Sequence, residues 1–245
     1  MIIVVKLGST LIRYHFHDDK TIRFFHGFVS PNPDVEEAEQ VSVPYGKFEY
    51  YTAKYKQSNS FLEYNMVFLR TAHALLRHQS CLFHAAAFSW QNRAWLLAGP
   101  GGIGKTTQLF QWLELEGERI QIINGDKPIL EDRRDGSIWV HPSPWCGKER
   151  LSGGSGAALG GIIFLERGEE NSIEQLAVKD SVVPIYSGIY VLAKDEGMIH
   201  QTDRLAEAIL QTTPVWKLRN RGDMDAAILT RDTLQHYLEE SKKNG

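Results

Sequence analysis

The stretch "GPGGIGKTT", residues 99–107, constrains this chain more than any other part of it. It fits the pattern G-x-x-x-x-G-K-[ST], in which a glycine-rich turn joins a strand to a helix around a phosphate group. Such a turn presents several backbone N–H groups to one anion. Side chains would obstruct it, so Gly99, Gly101, Gly102 and Gly104 stand where the backbone must come close. The helix that begins near Lys105 points its positive end at the same place. Lys105 adds a full charge, and the Thr106 hydroxyl is a magnesium ligand in this pattern. The flanks have the required form: "RAWLLA" reads as an apolar strand, and Leu109, Phe110, Trp112 and Leu113 follow at helical spacing. The predicted nucleotide-binding residues are therefore Gly99, Pro100, Gly101, Gly102, Ile103, Gly104, Lys105, Thr106 and Thr107.

From residue 81 onward the pattern alternates strand and helix. "CLFHAAAF" is short and apolar, and "RIQIING" reads as a strand that stops at "GDKP". Asp126 then follows a strand after the loop helix, the place where a carboxylate contacts magnesium or acts as a base. "GSIWVHPSPW" holds another strand, "GGIIFLERG" a buried one over 162–165, and residues 203–211 and 223–240 read as helices flanking "PVWKLRNR". This order specifies an α/β core with a parallel or mixed sheet.

Residues 1–80 differ in character, which divides the chain into an N-terminal β-rich and helical region (1–80) and a P-loop domain (81–245). In "LIRYHFH", Ile12, Tyr14 and Phe16 alternate with polar positions, the period of a half-buried strand. "IRFFHGFV" and "GKFEYYTAKY" read as further strands, and "SPNPDVEEAEQ" between them as a loop. Over 60–78 the period becomes helical, with Leu62, Met66, Leu69 and Leu76 on one face. Ser58 or Ser60 is placed to cap the start of that helix, and Arg77 and His78 suit its negative end. His15, His17 and His26 lack the spacing of a helical metal pair and read as strand positions facing solvent.

Composition narrows the classes. The net charge of −3 over 245 residues provides no basic field for nucleic acid. Two distant cysteines, Cys81 and Cys146, make neither a disulfide framework nor a zinc site. No run reaches the length of a membrane span, and the N-terminus is too short in apolar residues for a secretory signal. The expectation is a soluble cytoplasmic protein.

Four features together resemble the kinases related to bacterial HPr kinase/phosphorylase, within the phosphoenolpyruvate-carboxykinase-like P-loop group. They are "FHAAAF", "LLAGPGGIGKTT", "IINGDKPIL", and "SPWCGKE" followed by "IIFLERGEENSI", spanning residues 81–175. The N-terminal region also resembles the leader of HPr-kinase-like proteins from peptide-modifying gene clusters, among them kinases of lasso-peptide precursors. The resemblance implies ATP and Mg2+ as cofactors, held by the loop with Thr106 and Asp126 as metal ligands. It implies catalytic roles for Lys105, for Asp126 as general base and for His84 near the phosphates. The family carries two adjacent acids where this chain has Gly125 and Asp126. An acid restored at 125 is thus expected to tighten magnesium dependence, and Asn124 is a substitute oxygen ligand. The segment "HPSPWCGKERLSGGSGAALGG" is expected to face the acceptor, with Trp145 as an apolar surface, Lys148 and Arg150 as charges for an acidic peptide or a phosphate, and glycines at 153, 154, 156, 160 and 161 that let the loop move over a substrate. Lys148 is placed to lower the Cys146 pKa, Glu166, Arg167 and Glu169 to form structural ion pairs, and Arg167 alternatively to steady transferred phosphate. The implied activity is phosphorylation of a hydroxyl, serine of a peptide or small protein being foremost. A small-molecule kinase and a nucleotide-binding module with little catalysis are the alternatives. The implied partner is the acceptor, with neither nucleic acid nor membrane, and nothing bars a homo-oligomer.

Overall fold

The computed structural model describes residues 1–32, 35–191 and 196–243. The chain opens with a hairpin of β1 (Ile2–Leu7) and β2 (Thr10–His15), and β3 (Glu39–Ser42) joins β2 in parallel. In β2 the buried positions alternate, with Ile12 and Tyr14 fully inside, as the period-two pattern required. The expected loop at 30–40 gives its last two residues to β3, and its positions 33 and 34 lie outside the described residues.

Two expected strands take other forms. "IRFFHGFV" folds as short 3-10 turns, Asp19–Phe24 and His26–Phe28. The cause lies on a distant helix: the buried Glu63 carboxylate accepts from the His17 and Asp18 N–H groups and the Thr21 hydroxyl, at 2.6, 3.1 and 2.7 Å, and curls the backbone around itself. "GKFEYYTAKY" is helix α1 (Tyr45–Lys54), on the outside with only Phe48 buried. Its aromatic residues favour strands only where a pleated neighbour exists to pack against.

Helix α2 (Asn59–Arg77) runs where the pattern placed it, burying Leu62, Val67, Leu75 and Leu76, while Leu69 turns outward. Ser58 occupies the cap position without a side-chain bond. Arg77 and His78 do not merely complement the helix end. They pair with Glu39 at 2.8 and 2.9 Å and tie α2 to β3.

The main sheet has nine strands. The order is β4 (Ser80–Leu82), β8 (Ile129–Asp132), β9 (Ile138–His141), β10 (Ala157–Arg167), β6 (Arg93–Ala98), β5 (Ala85–Trp90) and β7 (Ile120–Asn124). β12 (Val215–Asn220) pairs with β10, and β11 (Ser172–Gln175) with β12. β6, β10 and β12 are parallel and the other pairs antiparallel, so the sheet is mixed. Strands β5 and β6 are buried on both faces. Ala85, Ala87 and Leu96 face α4 (Val178–Gly188) and α5 (Glu196–Thr212). Phe88, Trp95 and Leu97 face α3 (Lys105–Glu116) and α6 (Met224–Lys243). A third core joins the N-terminal sheet and α2 to Leu82, Ile129 and Trp145 from the later chain. Among the described residues no helix is long and apolar enough to cross a membrane.

Candidate active site

β6 ends at Ala98 and the chain turns through residues 99–104 into α3. Gly104 caps α3 at φ 112°, and Gly99 sits at φ 134° with its bare Cα facing the Leu165 carbonyl, which a Cβ would approach to 3.2 Å. Both backbone conformations favour glycine. The space beside Gly101, Gly102 and Gly104 is open to at least 4 Å. Lys105 is buried, and its Nζ donates to the Gly99 and Pro100 carbonyls at 2.8 and 3.1 Å. Burial lowers its pKa, Asp126 acts against that shift and Lys127 adds to it.

The loop walls a cavity of about 380 Å3 that also holds Thr106, Thr107, His84, Asp126 and Lys148. The structure thus brings together the loop, the histidine and the acid from three separate stretches of sequence. Asp126 Oδ1 lies 3.6 Å from His84 Nε2, and Oδ2 is paired with the Lys127 ammonium. His84 hangs between β4 and β5, its N–H held by the Gly188 carbonyl at 2.8 Å. Its pKa is lowered, first by burial and then by Lys105, against an opposing pull from Asp126.

The residues before Asp126 are committed to structure. Buried Asn124 accepts the N–H groups of Asp126 and Lys127 on Oδ1 at 2.9 and 2.7 Å, and donates Nδ2 to the Ser143 carbonyl at 3.0 Å. It is an organiser of the turn, so its expected role as a substitute metal ligand is withdrawn. Gly125 donates to the Leu151 carbonyl at 2.7 Å, and a Cβ on it would stand 2.8 Å from the Cys146 carbonyl oxygen. The site therefore has no room for a second acid, which corrects the expectation that one could be restored at 125. Among the described residues no three His, Cys, Asp or Glu side chains cluster as a metal site. Thr106, Thr107, Asp126 and Glu149 bring side-chain oxygens to this cavity, a small set suited to an ion that keeps phosphate and water ligands.

Two clefts adjoin this cavity. One, of about 480 Å3, lies beside Gly99, Pro100 and Ile103 and is bordered by Phe164, Arg167 and Leu176. Arg167 donates to the Gly102 carbonyl at 3.2 Å, and Glu166 pairs with Arg219 at 3.3 Å. The other cleft, of about 660 Å3, shares Asp126, Gly147 and Lys148 with the phosphate cavity and includes Arg150. Trp145 lines it, but as a floor: only 3% exposed, it packs against Phe25, Tyr64 and Phe68. The apolar surface expected there is mostly spent on the core, and residues 157–161 of the expected acceptor segment are the start of β10, where a Cβ on Gly160 or Gly161 would meet Trp95 or Trp216, so those two glycines do not belong to a movable loop. Burial also raises the Cys146 pKa, contrary to the lowering expected from Lys148, and it pushes the Cys81 thiol up to about 12. The residues that sequence reasoning missed are Lys127, inside the quoted "GDKP", and Arg23, Tyr64 and Phe68 of the N-terminal region. Arg23 fell within a stretch read as a strand.

The fold and site define an α/β protein built around a glycine-rich loop between β6 and α3. Among solved structures it is similar to the HPr(Ser) kinase/phosphatase from Coxiella burnetii, with a TM-score of 0.38 and 12% identity over 65% of this chain and 98% of that one. No family model matches the chain, and no curated protein does.

Proposed function

We propose that this protein is an ATP-dependent phosphotransferase acting on a hydroxyl, with serine of a peptide or small protein as acceptor and a lasso-peptide precursor as one candidate. The observation that carries the reading is the position of Asp126. Its carboxylate borders both the phosphate cavity and the larger cleft, so one group faces a nucleotide and an acceptor together. Lys105 is within its own reach of the loop's anion site and exchanges the Gly99 and Pro100 carbonyls for phosphate oxygens. The loop N–H groups and the start of α3 hold the rest of the negative charge. Magnesium, held by Thr106 and Asp126, would neutralise phosphate charge when bound. Asp126 takes the hydroxyl proton as the oxygen attacks the terminal phosphorus and the bond to ADP breaks, a role that contributes roughly 10²–10⁴-fold. Lys127 pairs with one carboxylate oxygen, and His84 Nε2 lies 3.6 Å from the other.

One observation favours a second reading, a nucleotide-binding module with little catalysis: Asp126, the carboxylate that the two cavities share, is already paired with Lys127. Serine peptides incubated with ATP and followed by mass spectrometry decide between the two. Lys105→Ala is expected to lose both nucleotide binding and transfer. Asp126→Asn is expected to keep nucleotide binding and lose transfer by about 10²–10⁴-fold. ATP binding without acceptor-dependent ADP release in the unmodified protein selects the module.

A further inference from the structure

The larger cleft is built from two parts of the chain that the phosphate cavity does not need. The loop at 144–150 forms one wall, and the N-terminal region forms the other through Arg23, Phe24, Phe61, Tyr64 and Phe68. Its rings make a continuous surface. Phe24 stacks on Tyr64 with centroids 4.4 Å apart, Tyr64 on Trp145 at 5.8 Å, and Trp145 meets Phe68 edge-on at 5.4 Å. At one end the Lys127 ammonium lies 5.6 Å from the Phe68 centroid and pairs with Asp126. At the other end the Arg23 guanidinium sits 4.8 Å over Phe24 and donates to the Ser60 hydroxyl at 3.3 Å. One aromatic surface thus connects the carboxylate that faces the hydroxyl to a positioned cation at the rim.

The charges are lopsided. Arg23, Lys127, Lys148 and Arg150 line the cleft, and Asp126 is its one carboxylate. Among the described residues Arg23, Lys148 and Arg150 have no carboxylate within ion-pair distance. A concave site lined by one sign of charge concentrates ligands of the opposite sign. The volume of about 660 Å3 lies in the range of small-ligand pockets and fits a short stretch of chain. A bare anion would use the cations and leave the ring surface without a role.

We propose that the N-terminal region is the acceptor-reading element, and that the acceptor is a peptide with an acidic side chain near the phosphorylated hydroxyl and an apolar or aromatic one beside it. This rests on the reading of Asp126 as the group that receives the hydroxyl. Arg23 reads the acid, the Phe24–Tyr64 surface packs the apolar side chain, and Lys148 and Arg150 close the opposite side.

The test is binding of fluorescein-labelled serine peptides to the full chain, measured by anisotropy. One peptide carries Glu and Phe near the serine, one replaces Glu by Gln, and one replaces Phe by Gly. The Glu–Phe peptide is expected to bind about ten-fold tighter than either relative. Arg23→Ala is expected to erase the Glu-over-Gln preference, and Arg23→Lys to restore part of it, with ATP affinity and melting temperature reporting whether the phosphate cavity and fold are intact. Equal binding of the Glu and Gln peptides overturns the proposal, as does a preference that survives Arg23→Ala in folded protein. Displacement of the peptide by inorganic phosphate at equal concentration makes the site a bare-anion site and also overturns it. Transfer is scored separately. Arg23-dependent binding of the acidic peptide without any phosphorylation retires the kinase reading and keeps the acidic-peptide cleft. Equal phosphorylation of the Glu and Gln peptides keeps the kinase and overturns the acceptor reading.

Discussion

An acid placed at position 125 is the change that the expected pair of acids invites, and the packing predicts that it harms the protein. A Cβ on Gly125 would stand 2.8 Å from the Cys146 carbonyl oxygen, 3.1 Å from Leu151 Cβ and 3.3 Å from the Leu151 carbonyl oxygen. Two of these three are backbone atoms, which cannot swing aside as a flexible side chain would. The strand end or the loop at 146–151 must move, and that movement strains the 2.7 Å bond from the Gly125 N–H to the Leu151 carbonyl. Overpacking of this kind costs about 1–3 kcal/mol. For a chain of this size that lowers the melting temperature by roughly 2–12 °C. Gly125→Ala adds the clash without the charge and is expected to lose nearly as much as Gly125→Asp. Because Lys148 and Arg150 ride on the displaced loop, both variants are also expected to weaken acceptor binding more than nucleotide binding. Differential scanning calorimetry, magnesium titration of the nucleotide complex and peptide anisotropy measure the three effects. If Gly125→Asp melts at the unmodified temperature and binds magnesium more tightly, the steric reasoning is wrong and the position was open to an acid.

Three further outcomes are expected. Trp145→Ala removes a side chain that is 3% exposed and should destabilise the fold by about 3–5 kcal/mol in urea unfolding, whereas a surface platform would lose little stability. Burial alone would raise the Glu131 carboxyl, but hydrogen bonds from His141 and Ser9 outweigh it and hold the pKa at about 2, below the ordinary 4.5. The stability this contributes is complete above pH 4.5 and is lost as pH falls through about 2, so Glu131→Gln should flatten the acid dependence of the urea midpoint in that window; an unchanged acid limb would count against it. Cys81, with its thiol pushed up to about 12 by burial, should stay unlabelled by a thiol reagent at neutral pH until the protein unfolds.

The phosphate loop was legible in sequence because its requirement is local. The anion dictates where backbone must be bare, and nine consecutive residues carry the whole instruction. The strands on either side were legible because both their faces are buried, so apolar runs such as "RAWLLA" and "GGIIFLE" admit few other readings. The N-terminal region was not, since its shape is set at long range. The turns at 19–28 exist because Glu63, more than thirty residues away, accepts three bonds from residues 17–21. α1 carries strand-favouring aromatic residues, yet among the described residues no strand pairs with that stretch. β12 was bracketed by its two flanking helices but not named, because its pairing with β10 is also non-local. The larger cleft was least legible, for its wall combines Phe24, Tyr64 and Trp145 from three distant stretches.

The absent second acid then takes on a different meaning. Three contacts hold the segment at 151–153 along the end of β7: the Gly125 N–H to the Leu151 carbonyl at 2.7 Å, the Gly153 N–H to the Ile123 carbonyl at 3.2 Å, and a bridge between Asn124 and Ser152. Asn124 meanwhile grips the Ser143 carbonyl, so residues 143–153 are fastened at both ends to the turn that presents Asp126. That fastened segment carries Trp145, Lys148 and Arg150, one whole wall of the larger cleft. A side chain at 125 would push the segment off the strand end. The bareness of position 125 is therefore the condition on which this wall of the larger cleft docks beside the carboxylate, and a second acid at this place would disrupt the cleft.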